Sequence, residues 1–531
     1  MRKRIVSTIL LIALMPLSAL SCARTVAPVS EAVVVRLAAP QNAYIEDFDT
    51  NMYKLWLEEQ TGLKIEMDWL PINDAEQIAK LALSTGEDLP DAYVGFGSGS
   101  FEIFQNPNIQ LYGEQGAIIP LDDLIEKYGV YTKKLFEELF EHDIESLMTS
   151  ADGQKYFMPG FSSSVITRHR QIMWVNIGWL NALSMNPPAT TDEFRDMLRA
   201  FKSYFPYSVP MTGTEAHYGK QAYDYLINAF IYNDTNNSRI LLENGIIGFA
   251  PVRDEFREAL KYMRGLYDEG LYSPLSFTQD NQQLTQMAND RRDILGAFVS
   301  PGITLTVYQN SPEIMERYMG IGPLAGPEGV KLSTVFLSIP RPFGVITSAC
   351  RHPEEVFKLF DLMLSEEACL MGRYGEKGVD WDHADEGAVS IFGTPATISI
   401  INQIWNTPQN KHLAQIVPYV SRPKYSGGVT WDGNTTDGEY MNAQAALLYK
   451  DHEPKEYVGM LIYSPEEEAR IHNIREEIET YVKETIIGFI TGELEINDDA
   501  VWAGYLKEFY NLGLTEFLEV AQTAYGRRVW W

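Results

Sequence analysis

The sequence predicts an α/β fold spread over at least two domains, and three observations carry that prediction. The chain has 531 residues, and single hydrophobic cores stop growing near about 250–300 residues. Behind an apolar leader, the first segment alternates strand and helix patterns in the order β-α-β-α-β, as a parallel sheet covered by helices does. A second set of such patterns begins near Gln171 and marks a passage from one domain to the next.

Residues 33–37 (Val-Val-Val-Arg-Leu) are the first β-rich run, and residues 52–59 carry helical periodicity. Residues 63–70 alternate apolar and polar side chains, as a half-buried strand does. Residues 74–84 are again helical, with Ile78, Leu81 and Ala82 on one face, and residues 91–95 form a third strand. Asp152-Gly153 is a turn, followed by strands at 156–159 and 172–175. Thr190-Thr191-Asp192-Glu193 opens a helix with an N-cap residue and early acids. Further helices fit residues 223–232, 253–269, 353–369 and 465–487, and later strands fit 293–299 and 335–347.

Ahead of these elements, Arg2, Lys3 and Arg4 precede an apolar run over residues 5–20, closed by Ser21 and Cys22. This is the shape of a bacterial secretion signal. A membrane-spanning helix needs roughly 20 apolar residues, and Pro16 and two serines interrupt this run. Ala19-Leu20-Ser21-Cys22 resembles a lipobox, with Ala19 standing where Leu is commonest. The resemblance implies removal of residues 1–21, lipidation of Cys22 and a short tether over 22–32. A diacylated cysteine anchors stably to a membrane, where a single chain would be marginal. Cys350 ends an apolar stretch and Cys369 lies in a helical pattern, settings that favour small buried hydrophobes over a disulfide.

The formal charge is −29, and loss of the three leader cations makes the mature chain more acidic still. Phosphate binding needs clustered cations, so nucleic acid is excluded as a partner. Enzyme chemistry leaves little trace. There is no H-E-x-x-H, C-x-x-C or G-x-S-x-G pattern, and the eight histidines are scattered. The stretch Gly95-Phe96-Gly97-Ser98-Gly99-Ser100 lacks the Gly-Lys-Ser/Thr of a phosphate loop. Its place after a strand suggests a loop at the carboxyl edge of the sheet, where α/β folds bind ligands. Asp122-Asp123 and Asp380-Trp381-Asp382 are acid pairs of the kind glycosidases use, but among 72 acids such pairs arise by coincidence.

From residue 79 the chain resembles a known family. Residues 79–92 (AKLALSTGEDLPDA), 116–124 (GAIIPLDDL), 151–156 followed by Pro159, Trp174-Val175-Asn176 with Trp179-Leu180, and 188–201 (PATTDEFRDMLRAF) match segments of family 1 extracellular solute-binding proteins, in the family's order. His352-Pro353-Glu354-Glu355, Tyr374-Gly375, Gly378, Phe489-Ile490-Thr491-Gly492, Trp502 and Leu512-Gly513-Leu514 continue the agreement. The resemblance is to the large lipoprotein branch of carbohydrate-using bacteria and covers residues 44–527. It implies a type II periplasmic-binding-protein-like fold with two α/β lobes and a ligand cleft between them. Lobe I is expected over 33–170 and 296–340, and lobe II over 171–295 and 341–531. The implied partners are a carbohydrate-like small molecule, the permease subunits of an ABC importer and a membrane reached through the lipid anchor; the alternatives are a same-fold binding protein for a peptide or polyol and, after that, a secreted carbohydrate-active enzyme. The protein is expected to be exported, monomeric and not an enzyme. Many relatives carry an acidic calcium loop after the helix that ends near Lys202. Residues 203–210 (SYFPYSVP) have no carboxylate, so neither calcium nor any other cofactor is expected there.

Cleft residues are expected on loops at strand ends and beside the crossings. Phe96 and Ser98 follow the third strand, and Trp174 and Asn176 follow the first crossing. His217 and Tyr218 occupy a polar loop of the second lobe, and Trp405 and Trp431 are exposed by context. The aromatics would stack on sugar rings, and Ser98, Asn176 and His217 would bind hydroxyls.

Overall fold

The computed structural model describes residues 32–97, 101–139, 143–215, 219–405, 407–413 and 415–527. Within them the buried apolar side chains form two clusters. One gathers residues from 35–161 and 345–420, the other from 172–324 and 445–524.

The first lobe is built on a six-stranded sheet. The valine-rich strand Val34–Pro40 pairs in parallel with Lys64–Leu70 on one side and with Ala92–Val94 on the other. Two helices make the crossovers. In Met52–Thr61, the Asn51 side chain accepts from the amides of Tyr53 and Lys54, and Gly62 ends the helix at φ 70°. Ala75–Thr85 ends in the same left-handed way at Gly86, a conformation glycine adopts without a Cβ penalty. Beyond Ala92–Val94 lie Arg341–Ile346, Met158–Ser162 and, at the edge, Tyr419–Ser421. Arg341–Ile346 runs antiparallel to both of its neighbours.

The second lobe holds the three-stranded antiparallel sheet Ala297–Ser300, Ile172–Asn176, Tyr318–Ile321. Helices cover it, among them Thr191–Tyr204, which opens at an N-cap residue as the sequence predicts, Thr190, here in a capping box with Glu193. The long helix Pro465–Thr491 starts on a second capping box between Ser464 and Glu467, with Pro465 in the first turn.

The lobe boundaries differ from those expected. The strands Ala297–Ser300 and Tyr318–Ile321 flank Ile172–Asn176 in the second lobe, whereas Arg341–Ile346 inserts into the first-lobe sheet. The segment 296–340 therefore does not belong to lobe I, and 341–421 does not belong to lobe II. The expected strand over 335–347 is shorter: Pro340, just before it, lacks an amide donor, and only Arg341–Ile346 pairs. The expected helix over 353–369 is two helices, Pro353–Met363 and Glu366–Tyr374, because the Ser365 side chain caps the second. Cys350 and Cys369 are free thiols. No helix among the described residues is long and apolar enough to cross a membrane.

Candidate functional site

The chain passes between the lobes at residues 163–171, 322–340 and near 431–437. The first two passages are tied together where the Phe336 amide donates to the Arg168 carbonyl at 2.9 Å. The Arg168 guanidinium grips Glu453 with bonds of 2.5 and 2.6 Å and also donates to the Tyr457 hydroxyl at 3.1 Å. His169, buried beside this pair, has its imidazole pushed down to about 4 by burial, so it packs as a neutral ring.

A cavity of about 1010 Å³ opens beside these passages, with walls from both lobes. Its first-lobe wall includes Phe161, Phe343, Trp405 and Tyr419, and its second-lobe wall Asp234, Asn236, Tyr457, Tyr463, Arg475 and Phe517. Aromatic planes interleaved with amides and hydroxyls suit a ligand that offers both C–H faces and hydroxyl groups.

Local structure explains the aim of these side chains. Pairing of Arg341–Ile346 with Met158–Ser162 slips between Pro342 and Gly344, so Phe343 is the extra residue of a bulge. Bulges re-aim a side chain, and Phe343 here turns to the cavity wall. Two glycines make room for its ring. A Cβ on Gly97 would lie 2.6 Å from Phe343 Cε2, and one on Gly160 would lie 2.6 Å from both Cε2 and Cγ. Trp405 stands on an irregular segment. The His412 ring is 5.3 Å away and 17° from parallel, and the Arg373 guanidinium lies 3.7 Å over the ring centroid. Burial pushes the His412 imidazole down to about 4.

The charged groups of the cleft are engaged with one another or with the backbone. Arg475 pairs with Glu468 at 2.5 Å. Arg170 donates to the Thr167 carbonyl at 2.8 Å, and Ser238 donates to Glu479. Asp234 accepts from the Asn236 amide at 3.1 Å and from the Asn237 side chain at 3.0 Å, while burial pushes its carboxyl upward. Such a surface has little free charge with which to attract an ionic ligand.

Of the expected site residues among those described, only Trp405 lies in this wall. Phe96 is buried against Tyr93, Phe101 and Phe104, with ring centroids 5.2–5.7 Å away. Trp174 is wholly buried in the central strand of the second-lobe sheet and donates from Nε1 to the Ser300 carbonyl at 3.2 Å. Asn176 is buried, caps the helix Ile177–Leu183 and donates to Asp293 at 2.8 Å. These three support the lobes and do not face the cleft. Trp431 stacks on Tyr440, centroids 4.4 Å apart, in the third passage. Cys22, Ser98, His217 and Tyr218 lie outside the described residues. Sequence reasoning missed Phe161, Phe343, Tyr419 and Tyr457. The signal for the first two was present: glycine inside a strand pattern (Gly160) and Pro-x-Pro-Phe-Gly in another mark close approach and a bulge.

The model of the bacterial extracellular solute-binding protein family matches residues 38–368, more than half of the chain. The chain belongs to that family. Among its curated relatives is the fructooligosaccharide ABC transporter substrate-binding protein FusA of Streptococcus pneumoniae serotype 4. It is 25% identical over 495 residues, which cover 88% of this chain and 85% of FusA. Solved solute-binding proteins share the two-lobed fold. FusA of S. pneumoniae in complex with kestose matches with a TM-score of 0.70 at 22% identity, over 93% of this chain and 99% of that one. An extracellular solute-binding protein from Bifidobacterium longum subsp. infantis matches with a TM-score of 0.74 at 19% identity, over 93% and 98% of the two chains.

Proposed function

We propose that this solute-binding protein captures an uncharged oligosaccharide in the cleft between its lobes and hands it to the permease of an ABC importer. The observation that carries the reading is the cleft itself. Aromatic planes from both lobes face one cavity of about 1010 Å³ whose charged side chains are already engaged. That volume is at the upper end of small-ligand sites, about 300–1,000 Å³, and suits several sugar rings. The fructooligosaccharide named for FusA supports the same ligand class.

Capture works by differential affinity. A ligand that touches both walls binds the closed arrangement better than the open one and so shifts the population toward closure. The passages at 163–171 and 322–340 are the segments about which the lobes turn. Nothing in this cycle needs a covalent step, and the protein acts as a binding subunit without turnover. Anchoring through a lipidated Cys22, after export on the leader, keeps the captured sugar beside the importer, and the protein works as a monomer.

The test is thermal unfolding of the mature chain, from residue 23 onward, against a panel of mono- and oligosaccharides, peptides and polyols. Ligand at about 100 times its dissociation constant adds about 2.7 kcal/mol, a shift of a few degrees. A saturable shift with one oligosaccharide class and no loss of sugar is the expected result. A shift with peptides or polyols alone defeats the carbohydrate reading, and consumption of the sugar defeats the binding-protein reading. Replacing Cys22 by serine should release the protein from the cell surface; retention of that variant on membranes would exclude the lipid anchor.

A further inference from the structure

Trp405 faces the cleft from a segment, residues 401–413, whose described residues form no helix or strand. Its amide donates to Gln403 Oε1 over 3.4 Å, a long bond that does little to fix a side chain. The ring is instead held by other side chains. Arg373, in the last turn of the helix Glu366–Tyr374, lays its guanidinium 3.7 Å over the Trp405 centroid. His412 stacks at 5.3 Å and Tyr419 lies at 6.3 Å.

We propose that Arg373 is a positioning residue for carbohydrate recognition, whose stacked guanidinium presents the Trp405 ring as a wall of the cleft against which a sugar packs. Three observations support this. Arg373 is half-buried, yet among the described residues no carboxylate stands within ion-pair distance of it. Glu439 reaches this partly desolvated cation only from beyond ion-pair distance, and aromatic faces add to that compensation. Arg373 has two, Trp405 and, at 5.6 Å, Tyr374. The planar guanidinium matches an indole as an ammonium does not. Finally, His412 is neutral, held down by burial and by the neighbouring Arg373 charge, so the stack carries one cation and no internal repulsion.

The inference rests on the carbohydrate reading above, and a double-mutant cycle separates the two. Kestose binding is measured by calorimetry for the wild type, Trp405→Ala, Arg373→Met and the double variant. If kestose does not bind, the tightest sugar of the panel replaces it. Trp405→Ala should weaken binding about tenfold or more, and Arg373→Met about three- to tenfold. The double variant should bind no more weakly than Trp405→Ala, because a positioning residue has nothing left to position. Arg373→Lys, which keeps the charge and loses the plane, should recover only part of the affinity.

A spectroscopic readout isolates positioning from folding. The near-ultraviolet dichroism of Trp405, taken as the difference from Trp405→Phe, should fade in unliganded Arg373→Met while the far-ultraviolet spectrum is unchanged. Sugar binding that survives Arg373→Met intact, or losses that multiply in the double variant, would overturn the inference and leave the carbohydrate reading standing. Failure of the wild type to bind any sugar would defeat the carbohydrate reading itself.

Discussion

Replacing Gly160 by alanine should close part of the cleft from beneath. Gly160 lies inside the first-lobe sheet, in register with Arg341 on one side and Tyr419 on the other. An added Cβ would lie 2.6 Å from Cγ and Cε2 of Phe343, whereas carbon atoms in good contact are about 3.5–4.0 Å apart. The deficit is about an ångström. The strand cannot absorb it, because neighbours hold it on both sides, and the opposite retreat of the ring is closed by Gly97, where space is equally short. Phe343 must therefore move toward the cavity that it lines. Overpacking of this kind costs about 1–3 kcal/mol, and a ring displaced into the ligand's space should weaken sugar binding about tenfold or more, since tenfold is only about 1.4 kcal/mol. Thermal unfolding and calorimetric titration of Gly160→Ala read the two effects. Adding Phe343→Ala removes the collision, so the double variant should lose less stability than the sum of the single variants. A Gly160→Ala protein that melts and binds as the wild type does would refute this account of the cleft floor.

Three further outcomes are expected. Lys220 is wholly buried and donates to the carbonyl of Leu305 at 2.7 Å, to Thr306 Oγ1 at 2.9 Å and to Asn281, with burial lowering its ammonium to about 8. Between about pH 8 and 10.5 the unfolded chain holds this proton and the folded chain does not. The wild type should therefore gain on the order of 3 kcal/mol over Lys220→Met across that window and nothing below it; parallel stability–pH curves from denaturant titrations would exclude this. Glu453→Gln should cost about 1–3 kcal/mol, because it breaks the two-pronged contact with Arg168 at the passage between lobes. It should also change sugar affinity, and a variant altered in neither respect would show that the grip is not part of the hinge. Ser464→Ala removes the cap of Pro465–Thr491 and should cost about 0.5–2 kcal/mol in chemical denaturation; an unchanged midpoint would mean that neighbouring packing alone holds the helix end.

Local chemistry was legible in the sequence, and pairing between distant segments was not. The Thr190 N-cap, the early β-α-β-α-β order and the long C-terminal helix are set by residues a few positions apart. Which sheet Arg341–Ile346 joins is decided by contacts with residues 92–94 and 158–160, and no local pattern records that. Trp174 illustrates the limit for the site. Its strand is buried on every side, so it lacks the alternation that tells an inward face from an outward one. Trp405 was reachable because an aromatic in a loop rich in polar residues has few ways to be buried. The Pro-x-Pro-Phe-Gly pattern marks a bulge at Phe343 but not which way the ring turns, because its aim depends on a one-residue slip between two strands nearly 200 positions apart in sequence.

That same insertion of Arg341–Ile346 between Ala92–Val94 and Met158–Ser162 has a bearing on how the chain is made. Half of the first-lobe sheet is waiting for a partner that is synthesised only after the second lobe's strands, all of which lie between residues 172 and 321. Contacts of such sequence separation form slowly. During synthesis the amino-terminal half therefore stays open, with strand edges unsatisfied, until residue 346 is available. The first lobe therefore cannot consolidate until about two thirds of the 531-residue chain has been made. The hazard is that Met158–Ser162 and Ala92–Val94 remain adhesive meanwhile, and the second edge of Met158–Ser162 stays open until Tyr419–Ser421 follows.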